Sequence, residues 1–422
     1  MTDPFSAGGF DPRLFEKVPL FRELTKVMSW RGGPVNWELA AQTATAIAES
    51  AAGEPVTARD AHELSAAVRV AELWLDPVTA LGAVEGPVRT LTRGEWTALA
   101  SSSEGLGVYV EPIAQGMTTA LSRSLGGLGL AVEPTPTGGT GGPNPLLAAL
   151  NAVGALLYGV QVGTIAGHLC GQLLGTYDLG VPTLDPRVVG TVGDNARRFS
   201  HDYGFDQAEF RHWLALREVA HRRMFAGVAW LPDHVAGLIR RFAEEAEFDP
   251  SAMLEQFGGL DPGAIFGGDP FDPDSLQAAL ERPDAFRVEP TTAQHAILRR
   301  LQALVAFVEG WGDTVLRAAA AGKLTALGRI EEAVQRRRAE KGPGEQFLEQ
   351  LIGLDLKPAD FRLGRAFCDA VIAARGQEGL DRAWQRPEYL PDHAELAEPS
   401  RWLVRMAAVE LEGQLEDPDD RA

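Results

Sequence analysis

The stretch Phe210-Arg-His-Trp-Leu-Ala-Leu-Arg217-Glu218-Val-Ala-His221-Arg-Arg-Met-Phe225 sets the terms for reading the whole chain. Asp206-x-x-Glu209 just before it is a helix-start signal, and the pattern predicts one helix running to about Gly227. Zinc hydrolases carry His-Glu-x-x-His on such a helix. Imidazoles four residues apart lie about 40° apart on one helix face, and the glutamate between them polarises a metal-bound water. Here positions 217–221 read Arg-Glu-Val-Ala-His, so the glutamate and second histidine are in place and an arginine stands first. Alone, Glu-x-x-His arises by chance in many helices, and a solvated helix face is then the favoured reading.

A second segment changes that balance. Leu304-Val-Ala-Phe-Val-Glu309-Gly-Trp-Gly-Asp313 sits in a helix expected from Thr291 or Thr292 to about Ala321, stopped near Gly322. A carboxylate in so apolar a helix needs a partner, because burying a lone charge is expensive.

These two segments resemble the zincin-like metallopeptidase family, Zincin_2, found largely in actinobacteria. Its members carry hydrolase or coenzyme F420 biosynthesis-associated labels. The resemblance also rests on Gln172-Leu-Leu-Gly-Thr-Tyr-Asp-Leu, Leu354-Asp-Leu-Lys-Pro, Trp384-Gln-Arg-Pro-Glu-Tyr-Leu-Pro and Pro399-Ser-Arg-Trp402, and so covers most of the chain. It implies a mainly α fold with a few short strands around the helical core of a glutamate-type zincin. It further implies Glu218 as base, His221 and Glu309 as metal ligands, and Asp313 orienting a histidine from behind. The F420 label implies no F420 site in this chain.

The ligand expected at 217 is missing. Arginine stays protonated and has no lone pair for zinc, and its charge one helical turn from His221 repels a dication. His212 lies nine positions before His221, about 180° around the helix, and faces away. His62-Glu63 is a decoy, since Ala66 holds the second-histidine position. His168, on the glycine-striped helix, is a candidate to substitute through tertiary contact. Without a metal, Glu218, Glu309 and Asp313 crowd negative charge together, and Arg217 is expected to pair with Glu309 or Asp313 through its planar fork.

Composition narrows the alternatives. Formal charge is −19, from 39 Lys and Arg against 58 Asp and Glu. That argues against nucleic acid or an anionic membrane as partner, since both require positive surface. The two cysteines, Cys170 and Cys368, form no Cys-x-x-Cys, so neither a disulfide framework nor a thiolate zinc site is indicated. Met1-Thr-Asp-Pro-Phe-Ser shows no signal-peptide pattern, and the expected compartment is the cytoplasm. No G-x-S-x-G elbow or P-loop appears; Gly322-Lys323 is followed by Leu324.

Three regions are expected along the chain. Residues 1–130 read as an N-terminal helical region, 131–146 as a flexible Pro/Gly/Thr loop, and 147–422 as the zincin-like region. Thr57-Ala-Arg-Asp60 starts an amphipathic stretch through Leu75, and Thr92-Arg-Gly-Glu95 resembles a capping box opening a helix that carries Trp96. Between Pro145 and Tyr177 there is no charged residue, and Gly159, Gly163, Gly167, Gly171 and Gly175 recur at every fourth position. Asn151, Gln161, His168 and Gln172 within that run, with no flanking basic anchors, point to a buried helix over 146–175 rather than a membrane span. Arg187–Val192 is the clearest strand candidate, Asp233 is a helix start running through Phe248, and 249–273 reads as a surface loop.

The expected function is that of a metal-free relative of a peptidase, with no cofactor and with a protein or peptide as partner. Two alternatives stay open. One is a zinc hydrolase with a relocated ligand, and the other is an enzyme of different chemistry using Glu218 and His221 as an acid–base pair.

Overall fold

The computed structural model describes residues 32–50, 53–127, 145–246, 290–339, 349 and 352–416. Among these residues helix dominates, with one two-stranded sheet, as a mainly α core requires. The chain divides into two compact units that interleave along its length. Residues 1–50, 101–168 and 239–295 form one; residues 51–100, 169–238 and 296–422 form the other. Of the loop expected over 131–146, residues 131–144 lie outside the described residues and 145–146 are helical, while the loop expected over 249–273 lies outside them entirely.

The first unit contains α1 (Trp37–Ser50), whereas α2 (Ala58–Leu75), β1 (Val88–Leu91) and α3 (Arg93–Ala100) belong to the second. The capping box predicted at Thr92 forms, and a second one stands at Thr57. Thr57 and Asp60 bond reciprocally at the start of α2. Thr92 and Glu95 do the same before α3, which buries Trp96. The first unit continues with α4 (Gly107–Gly127) and α5 (Pro145–Leu169). The glycine stripe of α5 lets α1 approach to backbone contact. A methyl group at Gly159 would meet the Asn36 carbonyl at 2.6 Å, one at Gly163 the Ala40 carbonyl at 2.4 Å, and one at Gly167 the Ile47 side chain at 2.7 Å. None of the described helices is long and apolar enough to cross a membrane.

The helix expected to reach residue 175 ends at Leu169, so Gly171 and Gly175 fall outside the stripe. A stronger local pull accounts for this. The Asn195 amide donates to the carbonyls of Cys170 (2.8 Å) and Leu173 (2.7 Å), holding them in a turn. The chain then runs along β2 (Val189–Val192). Thr176 N–H donates to Gly190 O at 3.0 Å, and Val192 N–H to Leu174 O at 2.9 Å. Every residue of β2 is buried, and it pairs in parallel with β1, Val88 opposite Val189 and Leu91 opposite Val192. The sequence pattern did not reveal β1, whose four residues are too few to show alternation.

The second unit is built around α7 (Gln207–Gly227), which follows α6 (Gly193–Asp202) and is N-capped by Asp206 as predicted. From Trp213 to Phe225 every residue of α7 is buried, so the helix is a core element and no face of this segment is solvated. Its charged residues are therefore paired. Arg222 donates to Glu72 at 2.6 Å, and Arg223 reaches Glu72, Asp76 (2.6 Å) and Leu81 O (3.0 Å). The next helix, α8 (Leu231–Glu244), begins two residues before Asp233 and stops short of the expected Phe248.

After α9 (Thr292–Ala320) the chain turns at Gly322, whose positive φ of 70° suits glycine, into α10 (Leu327–Ala339). Helix α11 (Pro358–Asp381) crosses α9 at a pair of glycines. A methyl at Gly310 would lie 2.4 Å from the Gly364 backbone, and one at Gly364 would lie 1.9 Å from Ala306 O. Asp381 fixes the crossing by accepting from Trp311 Nε1 (3.0 Å) and Thr79 Oγ1 (2.8 Å). The short α12 (His393–Ala397) and α13 (Pro399–Glu416) complete the unit, with Arg405 bonded to Glu395 at 2.7 Å.

Candidate functional site

Helices α7 and α9 bring Arg217, Glu218, His221 and Glu309 together inside the second unit. Their exposures are 4%, 0%, 1% and 3%. Arg217 Nη2 donates to both oxygens of Glu309, at 3.0 and 3.2 Å. Its Nη1 lies 3.8 Å from Glu218 Oε1 and 3.9 Å from Asp178 Oδ1. The guanidinium is therefore bonded to one carboxylate and close to two others.

His221 is oriented by its own helix. Its Nδ1 sits 2.8 Å from the Arg217 carbonyl oxygen, which can only accept, so Nδ1 carries the proton. That turns Nε2 toward Glu309 Oε1 at 3.3 Å, an approach without the alignment of a hydrogen bond. The ring is packed by Tyr177, 5.6 Å between centroids, and it lies against Gly312, where a methyl group would come within 2.9 Å of Cε1.

Glu218 is held from the other side. It accepts from Thr176 N–H (2.9 Å), Thr176 Oγ1 (2.7 Å) and Tyr177 N–H (3.4 Å). A methyl at Gly175 would lie 2.2 Å from Glu218 Oε1, so glycine is what lets this segment approach the carboxyl. Complete burial pushes the Glu218 carboxyl up to about 7, with Arg217 and the Thr176 bonds opposing that rise only in part.

Asp178 behaves oppositely. Burial raises its pKa, but Arg337, Arg217 and the Leu174 N–H outweigh that and hold it below the ordinary carboxylate value. Arg337 on α10 donates to Asp178 Oδ2 at 2.9 Å and to Gln172 O at 2.6 Å. An alternating series of charges thus runs Arg337, Asp178, Arg217, Glu309.

The other candidates stand elsewhere. Arg217 takes Glu309, one of its two expected partners, as its bonded carboxylate. Half-buried Asp313 acts electrostatically on Arg317 and on the buried thiol of Cys368. His212 stacks on Trp74 at 5.8 Å, consistent with its place on the far side of α7, and His62 is exposed. His168 closes α5, with Nδ1 2.8 Å from Thr164 O. Asp178, Thr176, Arg337 and the packing glycine Gly312 are members of the site that no motif spacing singles out, and Gly175 figures in the sequence pattern only as part of the glycine stripe. The available signal was that Gly175, Thr176 and Asp178 fall within the family-like segment Gln172–Leu179.

A zinc ion shared by His221 and Glu309 would require a third protein ligand. The residue at that place is a cation whose hydrogen bonds occupy both Glu309 oxygens. Among the described residues no group of three or more His, Cys, Asp or Glu is arranged to hold a metal.

Comparison with known proteins agrees with the fold. A solved structure from Chloroflexus aurantiacus, described as a "putative hydrolase with a novel fold", matches with a TM-score of 0.57 at 24% identity. The match covers 88% of this chain and 99% of that one, and at this identity it speaks to the fold alone. No curated protein matches. The zincin-like metallopeptidases match over residues 35–403, and the chain belongs to that family.

Proposed function

We propose that this chain is a metal-free, non-peptidase member of its family, serving as a binding or scaffolding protein for a protein or peptide partner. The observation that carries this reading is the two-bond contact of Arg217 with Glu309, at 3.0 and 3.2 Å. It puts a fixed positive charge against the carboxylate that the family pattern assigns to the metal. A dication placed there would be repelled by the guanidinium and would have to compete for Glu309. The near-complete burial of Glu218 and His221 supports the same reading, and it counts against their working as an acid–base pair on an outside substrate.

Elemental analysis of the purified chain tests the proposal. The expected result is zinc far below one per chain and no chelator-sensitive peptide hydrolysis. Zinc at about one per chain, released only by strong chelators, would overturn it. Arg217→His should raise zinc affinity, because it removes the charge and supplies the third ligand.

A further inference from the structure

We infer that Asp178 is a positioning residue of this site: with Glu309 it forms a two-carboxylate seat for a planar cation, and Arg217 is the tethered occupant. The inference deepens the metal-free reading and rests on it. Four observations converge. Asp178 Oδ1 and Glu309 Oε1 lie 3.9 and 3.0 Å from the two terminal nitrogens of one guanidinium, the first an ion-pair distance and the second a hydrogen bond, with Glu218 Oε1 3.8 Å from the nitrogen that faces Asp178. Asp178 is anchored independently of Arg217, by Leu174 N–H at 2.8 Å and by Arg337 at 2.9 Å, so the seat does not depend on its occupant. Buried His221 Nε2 points at Glu309 Oε1 from 3.3 Å without an aligned hydrogen bond, leaving a polar atom directed at the seat from the α7 side. Gly175 and Gly312 keep the two walls closely packed against Glu218 and His221. The seat therefore matches a guanidinium in charge and in placing a carboxylate near each terminal nitrogen, and its chemical class of ligand is the guanidinium ion.

Vacating the seat tests this. In Arg217→Ala the side chain is lost while Asp178, Glu309 and Arg337 remain. Thermal unfolding of this variant is followed while guanidinium chloride is titrated up to about 0.1 M, with matched sodium chloride and the native chain as references. At about ten times its dissociation constant, bound guanidinium should shift the variant's unfolding equilibrium roughly tenfold toward the folded state. The native chain, its seat filled, should show only the weak destabilisation that this denaturant causes in any protein. Adding Asp178→Asn to Arg217→Ala should abolish the rescue, whereas Asp313→Asn should leave it. No rescue, or rescue indifferent to Asp178, overturns the inference.

If Arg217→Ala does not fold, a cycle of Arg217→Lys with Asp178→Asn tests the seat instead. The two changes should be non-additive by about fivefold or more in the unfolding equilibrium, and additivity overturns the seat. Zinc content of the native chain separates the two levels. A metal-free chain without rescue refutes the seat alone, and a zinc-loaded native chain refutes the reading beneath it.

Discussion

Replacing Arg217 by methionine removes the guanidinium bonded to Glu309 and leaves three carboxyls around an apolar thioether. Glu309 is 3% exposed and loses two charge-assisted bonds, while Asp178 keeps Arg337 and Glu218 keeps Thr176. Removing one partner of a buried ion pair costs about 3–5 kcal/mol. For a folded unit of this size that corresponds to a fall in melting temperature of roughly 10 °C. Glu309→Leu should cost less, on the order of 2–3 kcal/mol, because Arg217 keeps Glu218 at 3.8 Å and Asp178 at 3.9 Å. The double variant should recover most of the loss, since an apolar pair of similar volume often replaces a buried ion pair at little net change. Urea unfolding followed by tryptophan fluorescence and far-ultraviolet circular dichroism gives all four corners of this cycle. A coupling of about 2 kcal/mol or more is expected. Single substitutions that each cost under about 1 kcal/mol, or effects that add, would refute the reading of Arg217 and Glu309 as a coupled buried pair.

Two further outcomes follow from the same geometry. Glu218 titrates at about 7 when folded against an ordinary 4.5, so the folded chain keeps a proton that the unfolded chain has lost. Its contribution to stability is complete below the unfolded value and is lost as pH rises toward 7, on the order of 2 kcal/mol between about pH 5 and pH 7. Glu218→Gln should flatten that slope in urea titrations at several pH values, and an unchanged slope would remove the raised carboxyl from the account. Gly312→Ala places a methyl 2.9 Å from His221 Cε1 and should destabilise by about 1–3 kcal/mol. A neutral Gly312→Ala in a thermal melt would mean the imidazole is free to move aside.

Much of this protein was written in its local pattern. Helix starts at Thr57, Thr92 and Asp206 are capping signals confined to four residues, and each is present in the fold. The stop at Gly322 depends on one residue's freedom to take positive φ. Glu218 and His221 were legible as a Glu-x-x-His pattern and Glu309 as an acid in an apolar helix, each a statement about one helix at a time, and the family resemblance supplied their expected roles. The partner of Arg217 could be narrowed only to Glu309 or Asp313, since both lie on α9, one turn apart, and the sequence does not say how α9 is rotated.

Tertiary structure decided the rest. The crossing of α9 and α11 at Gly310 and Gly364 sets how deeply α9 sits, and so helps bring Glu309 to the guanidinium. The glycine run breaks after Leu169 because Asn195, far along the chain, captures two carbonyls. Asp178 reaches the site because that same break turns its segment along β2, and Arg337 then fixes it from α10. The physical reason is common to all three. A capping box or a helical period involves groups a few residues apart, whose meeting costs little chain entropy and leaves a mark in the local sequence. A carboxylate that meets its cation across the fold leaves no such mark, because packing rather than spacing selects the partner.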